Sequence, residues 1–322
     1  MTGNILITGA AGFIGSNLAD ELLKQDFRVM GIDNFDPFYR REIKEANISD
    51  ALRNSTFIFR EGDIRDPEFL DMCFSEFKPG LVIHLAAKAG VRPSINDPSS
   101  YFDVNVNGTL NLLESMKRNK TGRMLFASSS SVYGNNKKIP FSEADNVDYP
   151  ISPYAASKKA GELLCHTYHH LYGMDIFCLR FFTVYGPRQR CDLAINKFTR
   201  AILEGEAITL YGDGTTSRDY TYISDIIQGI RMAMEKVEGF EIFNLGESNA
   251  ISLTSLVALL EEKTGKKAHL KYMPLQDGDV VQTFADISKA KGILEYNPVI
   301  DIEAGIEKYV EWYISSCGTR GR

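Results

Sequence analysis

The sequence lacks a long apolar run, an excess of positive charge and closely spaced cysteines. None of its apolar runs is long enough to span a bilayer, and because a strand is predicted at residues 4–8 we expect no signal peptide. The net charge of −6 argues against nucleic acid as a partner. The five cysteines are widely spread, which predicts free thiols in a cytoplasmic protein: Cys73, Cys165, Cys178, Cys191 and Cys317.

Metal ligands are also scarce. His166, His169 and His170 share a predicted helix, but no acidic or cysteine residue lies at ligand spacing. They therefore predict a solvated helix face, and no metal is expected. The 322 residues, 44% of them hydrophobic and 24% charged, suffice for one large α/β domain or for two lobes with a cleft between them.

What the sequence does have is a glycine-rich turn close to its start. Gly9, Gly12 and Gly15 lie between an apolar run typical of a buried parallel strand and an amphipathic segment at residues 16–25. Free N–H groups at the start of such a helix bind a pyrophosphate. A second predicted strand ends at Asp33, whose carboxylate suits a ribose 2′-hydroxyl and repels a 2′-phosphate. The pattern predicts NAD; the alternative is a glycine-rich turn that binds nothing.

Strands and helices then alternate along the chain. Further strands are predicted at residues 57–61, 81–87, 123–127 and 176–182, with helices between them. This alternation predicts a Rossmann-type doubly wound parallel sheet whose ligands lie at the carboxyl ends of the strands. We expect an NAD-binding domain at 1–180, to which some later segments return, and a smaller α/β substrate lobe at 181–322. His84, within the fourth strand, is predicted to be a hydrogen-bonded core residue.

A tyrosine and a lysine form a candidate acid/base pair. Tyr154 and Lys158 are four residues apart and share one face of the helix that follows the fifth strand. A nearby ammonium group, together with oxidised nicotinamide, favours the phenolate and lowers the tyrosine pKa. The pair therefore predicts a base for a sugar or alcohol hydroxyl. The spacing is common by chance, and the alternative is an exposed pair; the position of this pair behind a dinucleotide motif favours chemistry.

Together these features resemble the extended short-chain dehydrogenase/reductase superfamily, in its NAD-dependent nucleotide-sugar epimerase/dehydratase branch. The resemblance covers nearly the whole chain and adds motifs at residues 62–64, 84–87, 105–109, 128–134 and 179–182. It implies Tyr154 as acid/base, Lys158 bridging the phenol and the nicotinamide ribose, and Ser129 hydrogen-bonded to the sugar. The cofactor-binding residues that it implies are Gly9, Gly12, Phe13, Ile14, Gly15, Asp33, Asn34, Asp63, Ile64, Leu85, Ala86, Ala87, Asn105, Tyr154 and Lys158.

Within this branch the sequence is most similar to the UDP-glucuronate 4-epimerases. Dehydratases and decarboxylases keep an acid before the Val-Tyr-Gly motif, but this chain has Ser130 and Ser131 there, so elimination lacks a proton donor. We expect Arg190 to bind the substrate carboxylate in bidentate fashion; the alternative is a solvated loop arginine, and the next residue is Cys191 where the family usually has proline. The other implied substrate-binding residues are Arg92, Ser131, Thr183, Lys197, Arg218 and Asp279.

Several alternatives stay open. They are a UDP-glucose/UDP-galactose or N-acetyl-hexosamine 4-epimerase, a nucleotide-sugar decarboxylase or dehydratase, and a non-catalytic NAD-sensing protein. A sensor would not need to retain Tyr154, Lys158 and Ser129. The resemblance also suggests a homodimer that forms through the helices around residues 105–117 and 154–172.

Overall fold

The computed structural model describes residues 3–274, 280 and 282–319. Its strands, in chain order, are β1 (Asn4–Thr8), β2 (Arg28–Asp33), β3 (Phe57–Glu61), β4 (Leu81–His84), β5 (Arg123–Ser129), β6 (Asp175–Phe181), β7 (Thr183–Tyr185), β8 (Ala207–Tyr211), β9 (Ser217–Tyr222), β10 (Phe240–Leu245), β11 (Ala250–Ser252) and β12 (His269–Met273). Its α-helices are α1 (Phe13–Leu23), α2 (Arg41–Ile48), α3 (Pro67–Phe77), α4 (Val91–Asn96), α5 (Pro98–Phe102), α6 (Gly108–Arg118), α7 (Pro153–Tyr172), α8 (Ala194–Glu204), α9 (Ile223–Lys236), α10 (Leu253–Thr264) and α11 (Ile302–Thr319).

A large parallel sheet forms the centre of the fold. Seven strands pair in the order β3-β2-β1-β4-β5-β6-β10. The chain winds outward in both directions from β1 and β4, so their carboxyl ends part and leave a crevice. The predicted doubly wound α/β sheet is confirmed.

Helices cover both faces of this sheet, which is why its strands read as continuous apolar runs. On one face, Leu18 and Leu22 of α1 and Ile230 of α9 pack in one buried cluster with β1, β5 and β6. On the other face, Phe74 of α3 and Leu112 of α6 join a second buried cluster with the same strands. The sheet therefore lies between two apolar layers and holds its carboxyl edge rigidly.

The C-terminal half forms two small sheets and adds one strand to the large sheet. A three-stranded sheet has the order β11-β9-β7, and β12 pairs with β8 in a two-stranded sheet. Strand β10 returns to the large sheet beside β6, so part of the chain after residue 181 packs with the strands of the first half. In the described part of the chain, no helix combines the length and apolar character that crossing a membrane requires.

Candidate active site

A cavity of about 660 Å³ lies at the carboxyl edge of the large sheet, where β1 and β4 part. Its walls come from the ends of several strands, from α1 and α7, and from the loop before α8. Twelve of the predicted cofactor residues line one part of it: Gly9, Gly12, Phe13, Ile14, Gly15, Asp33, Asn34, Asp63, Ile64, Leu85, Ala86 and Ala87.

The glycine turn forms a tight cradle at the base of this cavity. Gly9 has a φ of +73°, and a Cβ there would lie 2.8 Å from the backbone nitrogen of Ala86. A Cβ on Gly15 would lie 2.2 Å from the Gly9 carbonyl oxygen. Helix α1 can therefore begin directly on the turn, at Phe13, three residues earlier than the sequence predicted. Its first N–H groups have no intrahelical acceptors, and no acidic residue lies in its first turn. This end of the cavity fits a phosphate group.

Asp33 is fixed at the end of β2. Its Oδ2 accepts a hydrogen bond from the Ala11 N–H at 3.1 Å, and its Oδ1 accepts one from the Phe35 N–H at 2.9 Å. The Lys44 ammonium lies 3.5 Å from Oδ1, and both side chains are almost completely buried. Lys44 also lines the cavity, but sequence reasoning missed it because nothing along the chain indicates that residue 44 returns to Asp33.

The carboxylate of Asp63, which follows β3 beside β2, is also fixed by hydrogen bonds. Asn34 donates to Asp63 Oδ2 at 2.8 Å, and Arg65 donates to the same oxygen at 2.8 Å. Burial would raise the pKa of Asp63, but the hydrogen bonds from Arg65 and Asn34 hold that pKa at about 2. Ile64 packs so closely on α6 that a Cβ at Gly108 would lie 2.6 Å from it.

Asn105 does not line the cavity. It lies on a π-helical turn, Asp103–Asn107, between α5 and α6. Its Oδ1 accepts from the Lys88 N–H at 2.8 Å, and its Nδ2 donates to the Lys88 carbonyl at 2.9 Å and to Ser157 Oγ at 2.9 Å. Lys88 does line the cavity, so Asn105 positions the cavity wall and ties it to α7.

Tyr154, Lys158 and Ser129 all line the cavity. Ser152 caps α7, since its hydroxyl accepts from the Ala155 N–H at 3.1 Å, and Pro153 starts the helix. This capped start places the Tyr154 phenol next to Ser129, with which it forms a hydrogen bond.

Burial and nearby polar groups set the protonation of Tyr154 and Lys158. Burial raises the pKa of Tyr154, and the Ser129 hydrogen bond and the Arg190 charge lower it by less. Burial also lowers the pKa of Lys158 to about 8, and its ammonium donates to the Ala127 carbonyl at 2.8 Å. In this structure Arg190 is the cation whose charge lowers the pKa of Tyr154, and the role expected of Lys158 stays a prediction. Tyr101, which sequence reasoning missed, meets the Tyr154 ring edge-on at 6.2 Å between centroids.

The predicted carboxylate-binding residues also line the cavity. Ser131, Thr183 and Arg190 line the same cavity as Tyr154. The Ser131 N–H donates to Ser129 Oγ at 3.1 Å, which links the two serines. The Arg190 guanidinium lies over the Phe38 ring, 5.0 Å from its centroid. The cavity therefore combines a phenol, hydroxyl groups and a guanidinium.

Three other predicted substrate residues lie outside this lining. Arg92 is exposed and stacks on the Tyr211 ring at 4.5 Å. Lys197 is exposed on α8, and Arg218 is half-buried on β9 with Nη1 donating to the Ser217 carbonyl. Asp279 is outside the described residues. All four assignments stay predictions.

His84 is a core residue, as predicted. Its two ring nitrogens hydrogen-bond with Thr8 Oγ1 at 2.7 Å and with Thr109 Oγ1 at 3.0 Å. Burial lowers the pKa of His84 to about 3, so the ring is neutral. Cys73, Cys165 and Cys178 are buried free thiols, and Cys191 is an exposed one. Within the described ranges, no group of three His, Cys, Asp or Glu residues could hold a metal ion.

Comparisons with known proteins agree with this geometry. The profile of the family described as GDP-mannose 4,6 dehydratase matches residues 6–309. A UDP-glucuronate 4-epimerase of Thermodesulfobacterium geofontis is 45% identical over 96% of each chain. A crystal structure of the UDP-glucuronic acid 4-epimerase of Bacillus cereus, in complex with UDP-glucuronic acid and NAD, superposes with a TM-score of 0.92 at 39% identity, over 97% of this chain and 99% of the other.

A third relative broadens the comparison. The UDP-glucose 4-epimerase of Thermotoga maritima, solved with UDP-glucose, superposes with a TM-score of 0.90 at 34% identity, over 97% of this chain and 99% of that one. The family match, the sequence identities and the shared fold agree with the motifs that carried the resemblance. The chain therefore belongs to the GDP-mannose 4,6 dehydratase family, within the extended short-chain dehydrogenases/reductases.

Proposed function

We propose that this protein is an NAD-dependent UDP-sugar 4-epimerase that interconverts UDP-glucuronate and UDP-galacturonate. The observation that carries the proposal is that Tyr154 and Arg190 line one cavity, with Ser129 hydrogen-bonded to the phenol. A base for a sugar hydroxyl thus lies close to a cation for a sugar carboxylate. The similarity to UDP-glucuronate 4-epimerases supports the same substrate.

The residues of the cradle fit NAD. The start of α1 would hold the pyrophosphate, and Asp33 would accept hydrogen bonds from the adenosine ribose. Lys44 keeps Asp33 paired and oriented for that role. When bound, NAD supplies a reversible hydride acceptor at C4 of the sugar and, in its oxidised form, a positive charge that favours the Tyr154 phenolate.

Tyr154 removes the proton from the sugar O4 in the forward step. It returns the proton after the 4-keto sugar has rotated in the cavity and presents its other face. Ser129 orients the phenol and the reacting hydroxyl. Ser130 and Ser131 line the cavity where an elimination would need an acid, and a serine hydroxyl is too weak an acid to protonate a leaving hydroxide. These residues therefore support epimerisation and disfavour dehydration.

Arg190 also protects the substrate from losing its carboxylate as CO₂. Oxidation at C4 makes the uronic acid a β-keto acid, which loses CO₂ when the bond to the carboxylate aligns with the carbonyl π system. A guanidinium fork that holds the carboxylate ionised keeps that bond near the plane of the sugar ring. Ser131 and Thr183 would add hydroxyl contacts to the same group. The site thereby retains the carboxylate through the keto stage.

The second candidate function is a neutral UDP-hexose 4-epimerase, which the likeness to the Thermotoga maritima enzyme favours. Incubation of the purified protein with UDP-glucuronate and, separately, with UDP-glucose distinguishes the two once the products are separated. We expect UDP-galacturonate from the first and little or no product from the second. Conversion of UDP-glucose alone would reject the acidic sugar, and no turnover of either would favour an NAD-sensing protein.

We also propose a cytoplasmic homodimer. Free thiols at Cys73, Cys165 and Cys178 support a reducing compartment. Leu163 and Leu171 on α7 are 57% and 59% exposed, which supports burial of this face in a dimer. Light scattering should report twice the 36.0 kDa chain mass, and Leu163→Glu should shift it towards the monomer. A monomeric unsubstituted protein would contradict the proposal.

A further inference from the structure

Arg190 is already bound by a carboxylate of its own chain. Its Nε donates to Asp192 Oδ1 at 2.9 Å, and its Nη2 donates to Asp192 Oδ2 at 2.6 Å. This bidentate fork is the geometry with which a guanidinium binds any carboxylate. Both side chains line the cavity that contains Tyr154. Asp192 therefore occupies the position on Arg190 that the proposed function assigns to the substrate.

The two partners are not held equally. The Arg190 Nη2 also donates to the Ala89 carbonyl at 3.2 Å, and the guanidinium lies over the Phe38 ring. The same Ala89 carbonyl accepts from the Tyr101 hydroxyl at 3.2 Å, so it is itself part of a fixed wall. In the described part of the chain, the Asp192 carboxylate has hydrogen bonds with Arg190 alone. The carboxylate is therefore the partner that can leave.

The local backbone allows this exchange. Arg190 and Asp192 lie in a short turn in which the Leu193 N–H donates to the Arg190 carbonyl at 3.3 Å. The Asp192 side chain is 33% exposed and that of Arg190 is 17% exposed. A rotation of the Asp192 side chain carries its carboxylate towards water, whereas Arg190 stays on Ala89 and Phe38.

We propose that Asp192 is a placeholder for the substrate carboxylate, so that UDP-glucuronate binds by exchanging its own carboxylate for that of Asp192 on Arg190. The proposal rests on the proposed function and deepens it. The exchange never leaves the guanidinium unpaired inside the cavity, which avoids the cost of a desolvated, uncompensated charge. A neutral hexose has no carboxylate, so it cannot displace Asp192 from Arg190. Asp192 thus acts as a specificity-determining residue.

The Asp192–Arg190 pair should measurably weaken the apparent affinity for UDP-glucuronate. A competing internal carboxylate reduces the population of the binding-competent protein and weakens the apparent affinity by the same factor. For a partly exposed bidentate pair this factor is roughly three- to tenfold. Asp192→Asn should therefore bind UDP-glucuronate roughly three- to tenfold more tightly, with little change for UDP-glucose. Because both ligands carry the same UDP group, a general effect of the lost negative charge would act on both.

The test is a calorimetric titration of NAD-loaded protein in a Tyr154→Phe background, which separates binding from turnover. The variants are Asp192→Asn, Arg190→Gln and the double variant, each titrated with UDP-glucuronate and with UDP-glucose. Asp50→Asn is the matched control, because Asp50 is an exposed carboxylate that does not line the cavity. Asp192→Ala is the second variant, and thermal melts check that each protein is folded.

A gain for UDP-glucuronate alone that disappears without Arg190 would support the exchange. Weaker binding of UDP-glucuronate by both Asp192 variants would overturn it, since Asp192 would then orient Arg190. An equal gain for both sugars, or a gain that persists without Arg190, would also overturn it. A crystal structure with UDP-glucuronate in which Asp192 still pairs with Arg190 would likewise overturn the exchange. These outcomes leave the proposed function intact, whereas failure of the unsubstituted protein to bind or convert UDP-glucuronate removes that function itself.

Discussion

Arg180 and Glu162 form an ion pair in the interior, with side chains that are 1% and 2% exposed. Two hydrogen bonds join them, Nε to Oε1 at 2.8 Å and Nη2 to Oε2 at 2.9 Å. Glu162 also accepts from Ser128 Oγ at 2.6 Å, and Arg180 donates to the Tyr133 hydroxyl at 3.0 Å. The pair thus connects α7, which carries Tyr154, to the serine-rich end of β5.

Breaking this pair should be costly. Glu162→Gln leaves the Arg180 guanidinium buried without a counter-charge, so the free energy of unfolding should fall by roughly 3 kcal/mol. Urea denaturation measures the loss. The double variant Glu162→Leu with Arg180→Met removes both charges and should lose clearly less than Glu162→Gln alone. A single variant within about 0.5 kcal/mol of the unsubstituted protein would show that the pair is not an important source of stability.

Asp33 should control the choice of dinucleotide. Asp33→Asn removes the charge that would accept the ribose hydroxyl and leaves Lys44 unpaired beside it. We expect NAD binding to weaken by roughly tenfold and the preference for NAD over NADP to shrink, because an unpaired lysine favours a 2′-phosphate. Titration of cofactor-free protein with each dinucleotide measures both changes. Asp26→Asn, on an exposed turn, is the control; an unchanged preference in Asp33→Asn would count against the assigned role.

Arg190 should distinguish acidic from neutral sugars. Arg190→Ala should lower kcat/KM for UDP-glucuronate by roughly a hundredfold, because a desolvated carboxylate loses its partner. Any residual UDP-glucose turnover should change far less. Arg188→Ala is the matched control, since Arg188 pairs with Asp20 and does not line the cavity. Equal losses for the two sugars in Arg190→Ala would remove the carboxylate role.

A half-buried acidic group should make the free energy of unfolding depend on pH. Burial, followed by the neighbouring charges of Asp225 and Asp219, raises the pKa of Glu247 to about 7. Between the pKa of Glu247 in the unfolded state and pH 7, the folded state therefore binds more protons than the unfolded state. The free energy of unfolding is then highest at low pH and falls as the pH rises through 7. The loss should be about 1 kcal/mol once partial exposure is allowed for.

Urea denaturation at pH 5 and pH 8 tests this dependence. Glu247→Gln keeps the shape of the side chain but cannot ionise, so its stability should change less between the two pH values than that of the unsubstituted protein. At pH 8 the variant should be the more stable of the two. A steeper pH dependence in Glu247→Gln would contradict the assignment.

The sequence predicted the sheet and the cofactor cradle well, because both depend on local patterns. Apolar runs marked β1 and β3 with the bounds that the structure shows, and Gly9, Gly12 and Gly15 marked the turn after β1. Predicted bounds elsewhere differed by a few residues; β4, for example, ends at His84 instead of residue 87. The backbone leaves β4 there, although the apolar run continues along the cavity wall.

What sequence could not supply were contacts between distant segments. Lys44 reaches Asp33, and Tyr101 reaches Tyr154, only after the sheet has formed. Asn105 holds the backbone at Lys88, a contact that nothing along the chain indicates, and its contact with the cofactor stays a prediction. No periodicity in the chain encodes these three relationships.

Epimerisation requires that the Tyr154 phenol carry the proton while the protein retains NAD. The most direct measurement is the kcat of Tyr154→Phe with UDP-glucuronate, together with the NAD content of the same preparation. We predict an unchanged NAD content and a rate lower by roughly 10²- to 10⁴-fold, since one hydroxyl group is all that is removed. Full turnover by Tyr154→Phe, or an unsubstituted enzyme that neither carries nor requires NAD, would contradict it.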